Sequence, residues 1–135
     1  ESLGKLDAPV ALLTHPRLRA LAGQHGIDLH QGGLHPIDPL PYPHLVAAVM
    51  GSAGVVTDSG GLQKEAFLLR IPVTTIRPET EWVETVELGW NVLANDVAAI
   101  ADAVNRPSPS PTNAEPYGDG HAAQRAVSAM VEYAA

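Results

Sequence analysis

The run Val55-Val56-Thr57-Asp58-Ser59-Gly60-Gly61-Leu62-Gln63-Lys64-Glu65-Ala66 places a hydroxyl and two glycines where an apolar β-branched stretch gives way to an amphipathic one. Glycines at a strand-to-helix turn carry no Cβ, so backbone N–H groups can approach an anion closely. The dipole of the helix that follows adds positive potential, and the Ser59 hydroxyl adds a donor. Such a corner can hold phosphate without a lysine. Glu65, one turn further on, would repel phosphate, but a carboxylate accepts hydrogen bonds from sugar hydroxyls well. A pyrophosphate with an attached ribose satisfies both features. The plainer account is a helix start capped by Ser59 or Asp58, with the glycines kept for packing. Spacing alone does not separate the two.

Further candidates lie at similar junctions. His15 and Arg17 follow the apolar run Ala8–Thr14. Arg17 can pair with a phosphate oxygen, and His15 can hydrogen-bond phosphate or sugar; both also suit an ordinary helix start. Arg77, Glu79, Thr80 and Glu81 cluster after Pro72–Ile76. There Thr80 or Glu79 reads as an N-cap, and Trp82 as either core or a wall of a site. Pro116-Tyr117-Gly118-Asp119-Gly120 leads into the last helical run, as a plain loop would. The six histidines have no carboxylate partners at ligand spacing, so no metal site is expected. A Gly-x-Ser-x-Gly elbow is absent, and with it a Ser-His-Asp reading. The pattern calls for no cofactor.

These residues need elements to carry them. Strands are expected at 8–15, 27–30, 54–58, 71–76 and 90–94. Helices are expected at 16–26, 44–52, 60–70, 79–89, at 96–105 with Asp96 as N-cap, and at 121–135. Residues 31–43, broken by glycines and prolines, read as loop. Residues 106–119, rich in Pro and Ser, read as a flexible loop before the final helix. Continuous apolar strands alternating with helices imply an α/β domain, a Rossmann-like parallel sheet with helices on both faces. Ligands of such sheets sit at the carboxyl ends of the strands, which is where every candidate above falls.

Composition narrows the function. The 135 residues suffice for one domain, and 45% hydrophobic content can bury a core. A net charge of −7 with no basic run argues against nucleic acid and anionic membranes as partners. No apolar stretch approaches a membrane span. There is no cysteine, hence no disulfide framework, which fits the cytoplasm. The first residues lack a basic region and a Met, so a signal peptide is not expected, and a piece of a longer chain is.

Taken together the junctions resemble the C-terminal half of the non-hydrolysing UDP-N-acetylglucosamine 2-epimerase family, whose two-domain fold is shared with B-type glycosyltransferases. "TDSGGLQKEA" resembles the family's Thr-Asp-Ser-Gly-Gly-(Ile/Leu)-Gln-x-Glu-Ala, and "PYGDG" its C-terminal motif. "RPETEWVETVELGWN" resembles the Arg-x-x-Thr-Glu segment, and "LLTHPR" the His-Pro segment after the first strand. The resemblance covers roughly Ala8 to Ala129. It implies that Ser59, Gly60 and Gly61 bind the UDP diphosphate and Glu65 the ribose, with Arg17, Arg77 and Glu81 nearby. His15, the one catalytic candidate, would lie near the phosphate and the reacting sugar. Family enzymes invert C2 by anti-elimination of UDP to a 2-acetamidoglucal and its re-addition. The resemblance further implies a cytoplasmic homodimer in cell-envelope polysaccharide biosynthesis.

Two departures qualify it. Trp82 stands where many relatives have an arginine that contacts nucleotide, and "LQKEAF" and "TEWVETVELGWN" look more like the branch acting on UDP-2,3-diacetamido-2,3-dideoxyglucuronic acid. The family's N-terminal domain, which supplies the acid/base carboxylates, is absent from these residues. Alone they are expected to fold, to bind UDP weakly and to be inactive. A glycosyltransferase donor half and a stand-alone nucleotide-binding module are the alternatives.

Overall fold

β-branched and apolar runs pair in parallel, and each is followed by a helix that covers them. The computed structural model describes residues 2–134. A short 3-10 turn, Leu3–Lys5, leads into β1 (Val10–Leu13), α1 (Pro16–Gln24), β2 (Leu34–Ile37), α2 (Tyr42–Met50), β3 (Val55–Thr57) and α3 (Gly60–Leu68). Then come β4 (Val73–Thr75), α4 (Val83–Glu87), β5 (Asn91–Leu93), α5 (Ala99–Val104) and α6 (Ala122–Ala134). All pairing is parallel, as expected. It falls into two ladders, β1–β2 and β3–β4–β5, and no ladder bond joins them among the described residues.

β4 is the centre, with all three residues buried. Val73 packs with Val49 of α2 and Ala66 of α3, while Ala94, Ile100 and Ala103 form a second cluster with α5 and the 3-10 turn. Both α3 and α5 contact β4. Parallel pairing puts Ser59, after β3, and Arg77, after β4, at the same edge of one ladder.

Four boundaries differ from the sequence reading. The second strand is Leu34–Ile37, not 27–30, where Asp28 Oδ1 instead accepts the His30 N–H at 2.8 Å in a side-chain turn. Pro36 is tolerated because Val10 and Thr14 donate to Gly33 and Ile37, so the odd-numbered positions of β2 face β1. Pro36 therefore faces the outer edge, where no ladder N–H is needed. α2 starts at Tyr42 rather than His44, since Pro43 in a first turn costs no hydrogen bond. α4 begins at Val83, not at 79. The Thr80 hydroxyl donates to Gln63 Oε1 at 2.6 Å and accepts the Trp82 N–H at 3.0 Å, a turn that holds residues 80–82 ahead of the helix. Asp96 accepts the Ala98 N–H at 3.0 Å in a turn that precedes α5, whose N-cap is Ala98.

Candidate functional site

The corner between β3 and α3 is built by a local turn and held by a buried polar network. Thr57 Oγ1 accepts the Ser59 N–H at 3.0 Å, which fixes the turn before the helix. Ser59 is the N-cap by position, yet its side chain makes no capping bond. Its hydroxyl is exposed and free of partners among the described residues. Gln63 N–H donates to Ser59 O at 3.4 Å, whereas no recorded bond takes up the N–H groups of Gly60, Gly61 and Leu62. These are the orphan donors of a helix start.

The two glycines are glycine for different reasons. A Cβ on Gly60 would run into the Glu81 carboxylate, with Arg77 Nη1 3.6 Å away. A Cβ on Gly61 would meet nothing within 4 Å. The Glu81 carboxylate is the free end of a half-exposed side chain and can swing aside, so packing explains Gly60 weakly and Gly61 not at all, unless something else approaches its amide. Arg77 Nη1 donates to Glu81 Oε2 at 3.1 Å, so one cation and one carboxylate stand beside the turn. With Asp58 exposed next to Ser59, the side-chain charge there is mixed. One guanidinium stands against two carboxylates there, so what draws an anion is the open amides together with Arg77.

Behind the turn, buried Gln63 Oε1 accepts from Thr80 Oγ1 at 2.6 Å and from Asn91 Nδ2 at 3.1 Å. Asn91 Oδ1 in turn accepts from Thr75 at 2.7 Å, and its amide also reaches Thr85 Oγ1 at 3.2 Å. α3, β4, β5 and α4 are tied together through Gln63, Thr75, Asn91 and Thr85, with Thr80 of the preceding loop joining at Gln63. One turn along α3, Glu65 Oε1 accepts from the Tyr42 hydroxyl at 3.3 Å.

The corner between β1 and α1 is different in kind. His15 caps α1 with its own ring: Nδ1 accepts the Arg17 N–H at 3.2 Å. An accepting nitrogen carries no proton, so the neutral ring holds its hydrogen on Nε2 and offers it as a donor. His15 and Arg17 are both exposed, and the Arg17 guanidinium has no partner among the described residues. No hydrogen bond joins this corner to the β3–α3 corner among the described residues. The structure thus brings together Ser59, Gly60, Gly61, Arg77 and Glu81, with Glu65 further along α3, and leaves His15 and Arg17 on a separate corner.

Sequence reasoning missed Tyr42, hidden between prolines in a presumed loop, and gave Gln63 no role. The "PYGDG" stretch is more than a helix start. The Tyr117 ring meets Phe67 and Trp82 edge-on at 5.8 and 5.4 Å, and its hydroxyl donates to Glu84 at 3.1 Å. Burial first, then Glu84, pushes the Tyr117 phenol up to about 12. Gly118 and Gly120 have φ of +80° and +85°, which favours glycine at both. Arg70 Nη2 holds Ala114 O at 3.1 Å, and Arg106 clamps Val73 O at 2.8 Å, so residues 106–119 are anchored at several points. Two shallow surface hollows lie on other parts of the surface, one of them on the β4–α4 loop beside the turn. A hollow of about 480 Å³ lies against Ala123–Ser128, and a groove of about 320 Å³ is lined by Pro78, Val83, Val86 and Leu93. The Ser59 corner is an open face.

Comparison with known proteins gives this face its context. Residues 1–131 match the model of the UDP-N-acetylglucosamine 2-epimerase family. The chain is 38% identical over 121 residues to a UDP-2,3-diacetamido-2,3-dideoxy-D-glucuronate 2-epimerase of Pseudomonas aeruginosa, covering 87% of this chain and 33% of the relative. It is 33% identical over 135 residues to a UDP-N-acetylglucosamine 2-epimerase homolog of Methanococcus maripaludis, covering 96% of this chain and 37% of that one. Among solved structures, the Methanocaldococcus jannaschii UDP-GlcNAc 2-epimerase in complex with UDP-GlcNAc and UDP superposes with a TM-score of 0.79 at 27% identity. That match covers 93% of this chain and 36% of the other. The chain spans about a third of the length of the relatives it matches. With a family match running from the first residue almost to the last, the chain belongs to the UDP-N-acetylglucosamine 2-epimerase family.

Proposed function

We propose that residues 1–135 form the UDP-binding half, Rossmann-like and C-terminal in a two-domain fold, of an isomerase that inverts C2 of UDP-GlcNAc or a related UDP-2-acetamido sugar. The observation that carries this is Gly61, a helix-start glycine whose missing Cβ would fill only open space beside three unpartnered amides and a free serine hydroxyl. The M. jannaschii relative with bound UDP-GlcNAc and UDP supports the nucleotide. In this reading Ser59, Gly60 and Gly61 hold the diphosphate. Arg77, steadied by Glu81, adds a cation, and Glu65, steadied by Tyr42, takes the ribose hydroxyls.

The chemistry follows from those positions. Elimination removes the C2 proton and breaks the C1–O bond to the diphosphate, leaving a 2-acetamidoglucal and UDP. Charge grows on the departing diphosphate, and fixed amides aimed at it stabilise that charge without reorganising. Nε2–H of His15 and the Arg17 guanidinium are the donors that would meet the diphosphate from the other corner. Re-addition of UDP, with the proton returned to C2 on the opposite face, completes the inversion. The acid/base carboxylates come from the rest of the protein. α6 points the same way: it buries no residue, and Val127, Met130 and Val131 are 60%, 71% and 65% exposed along one side. That apolar stripe suits a surface of the remaining domain. A cytoplasmic homodimer serving cell-envelope polysaccharide synthesis fits this assignment, and no described helix is long and apolar enough to cross a membrane.

Calorimetric titration with UDP, UDP-GlcNAc and ADP tests the binding half of the reading on wild type, Ser59→Ala and Glu65→Ala. UDP is expected to be preferred and to be weakened by both substitutions. Equal indifference to the three nucleotides would remove the proposal. Expression with the remaining domain and an assay of C2 inversion tests the reaction.

A further inference from the structure

The sequence resemblance marks Trp82 as a departure from the family pattern. The structure gives the indole a partner. Nε1–H donates to the Gly60 carbonyl at 2.7 Å. The ring is itself fixed. The Trp82 backbone N–H donates to Thr80 Oγ1 at 3.0 Å, and Thr80 donates to buried Gln63. The Lys64 ammonium lies 4.7 Å from the Trp82 ring centroid and 4.8 Å from that of Tyr117. Tyr117 meets Trp82 edge-on at 86°.

We infer that Trp82 is a positioning residue for diphosphate binding, acting through the Gly60–Gly61 peptide rather than by touching the ligand. The inference rests on the reading of that turn as the diphosphate site. A trans peptide is planar, and its C=O and N–H point in opposite directions. Holding the Gly60 carbonyl therefore aims the Gly61 N–H. Two glycines in a first turn without a side-chain cap put no Cβ restraint on that plane, so an external pin adds to what the helix alone supplies. A donor on the carbonyl also polarises the peptide and strengthens its N–H.

The test uses NMR, which reads millimolar binding, on the 135-residue chain titrated with UDP and with uridine. Trp82→Phe keeps a ring for Lys64 and removes the N–H. UDP should weaken about five-fold, the effect of one neutral hydrogen bond, while uridine binding stays unchanged. Equal loss for UDP and uridine, or no loss for either, would overturn the inference. A second readout needs no variant. The chain has two indoles, Trp82 and Trp90, and the Trp82 Nε1–H signal should move with UDP in step with the Gly61 amide. A Trp82 signal that stays still while Gly61 moves rejects the pin even if Trp82→Phe fails to fold. Wild-type chain indifferent to UDP would instead reject the diphosphate reading beneath it.

Discussion

The two strand-to-helix corners solve the same local problem in opposite ways. At β1–α1 the side chain of His15 turns inward to cap its own helix, and among the described residues the corner is tied only to the end of β2, by the Thr14 hydroxyl to the Ile37 carbonyl and by Arg19 to Asp38, both at 2.8 Å. At β3–α3 the side chain of Ser59 caps nothing, and the turn is braced from behind by Thr57, Trp82 and the Gln63–Asn91 network. A corner whose orphan amides are left open while its framework is over-determined is prepared for a ligand. One that satisfies its amides with its own side chain offers only what remains, here Nε2–H and a guanidinium. On the proposed reading, the difference teaches that the diphosphate half of the site is preformed in this chain and the reactive half is not.

The sharpest way to break this comparison is Gly61→Ala. The methyl would block approach to two charge-assisted amide bonds, so UDP affinity should fall about 10–100-fold by calorimetry. Thermal stability should hold or rise by up to about 1 kcal/mol, since alanine favours a helix over glycine. Stability loss with unchanged affinity would return Gly61 to a packing role. Next in size, Ser59→Ala should weaken UDP several-fold. It should leave chemical denaturation unmoved, although N-cap serine usually costs about 1 kcal/mol when removed. A stability drop of that size would show that Ser59 is a cap after all. His15→Ala should reverse the balance, with α1 less stable by about 0.5–1 kcal/mol and UDP weakened less than by Ser59→Ala.

Much of this was legible locally. Ser-Gly-Gly after a β-branched run, His-Pro after an apolar one, and alternating strands and helices place both corners on one sheet edge or another. Local pattern failed where a distant side chain decides. The expected helix from 79 begins only at Val83, because Thr80, bonded to Gln63 17 residues away, takes the Trp82 N–H in a turn. Tyr42 was hidden because Pro41 and Pro43 read as loop, though both suit a helix start. Pro36 concealed β2, because sequence does not show which edge of a strand faces solvent. Trp82 could be placed near the site, but its hydrogen bond to a carbonyl 22 residues away could not.

Two smaller effects sharpen the account. Tyr42→Phe should weaken UDP by about two- to five-fold through loss of one exposed hydrogen bond to Glu65, with no effect on binding of inorganic pyrophosphate. An equal loss for pyrophosphate would place Tyr42 outside the ribose end. Tyr117, raised to about 12 from an ordinary 10, keeps its proton in the folded state after the unfolded chain has lost it. Its contribution is full below pH 10 and is lost as pH rises through about 12. Denaturation midpoints should therefore fall more steeply over that interval in wild type than in Tyr117→Phe. Identical slopes would mean that Tyr117 ionises like an exposed tyrosine.

The most direct test of the central claim is an amide NMR titration of the chain with UDP. The largest saturable shifts should fall on Ser59, Gly60, Gly61 and Leu62, with smaller ones around Glu65. Shifts centred instead on the groove of Val83, Val86 and Leu93, with the β3–α3 amides unmoved, would contradict it.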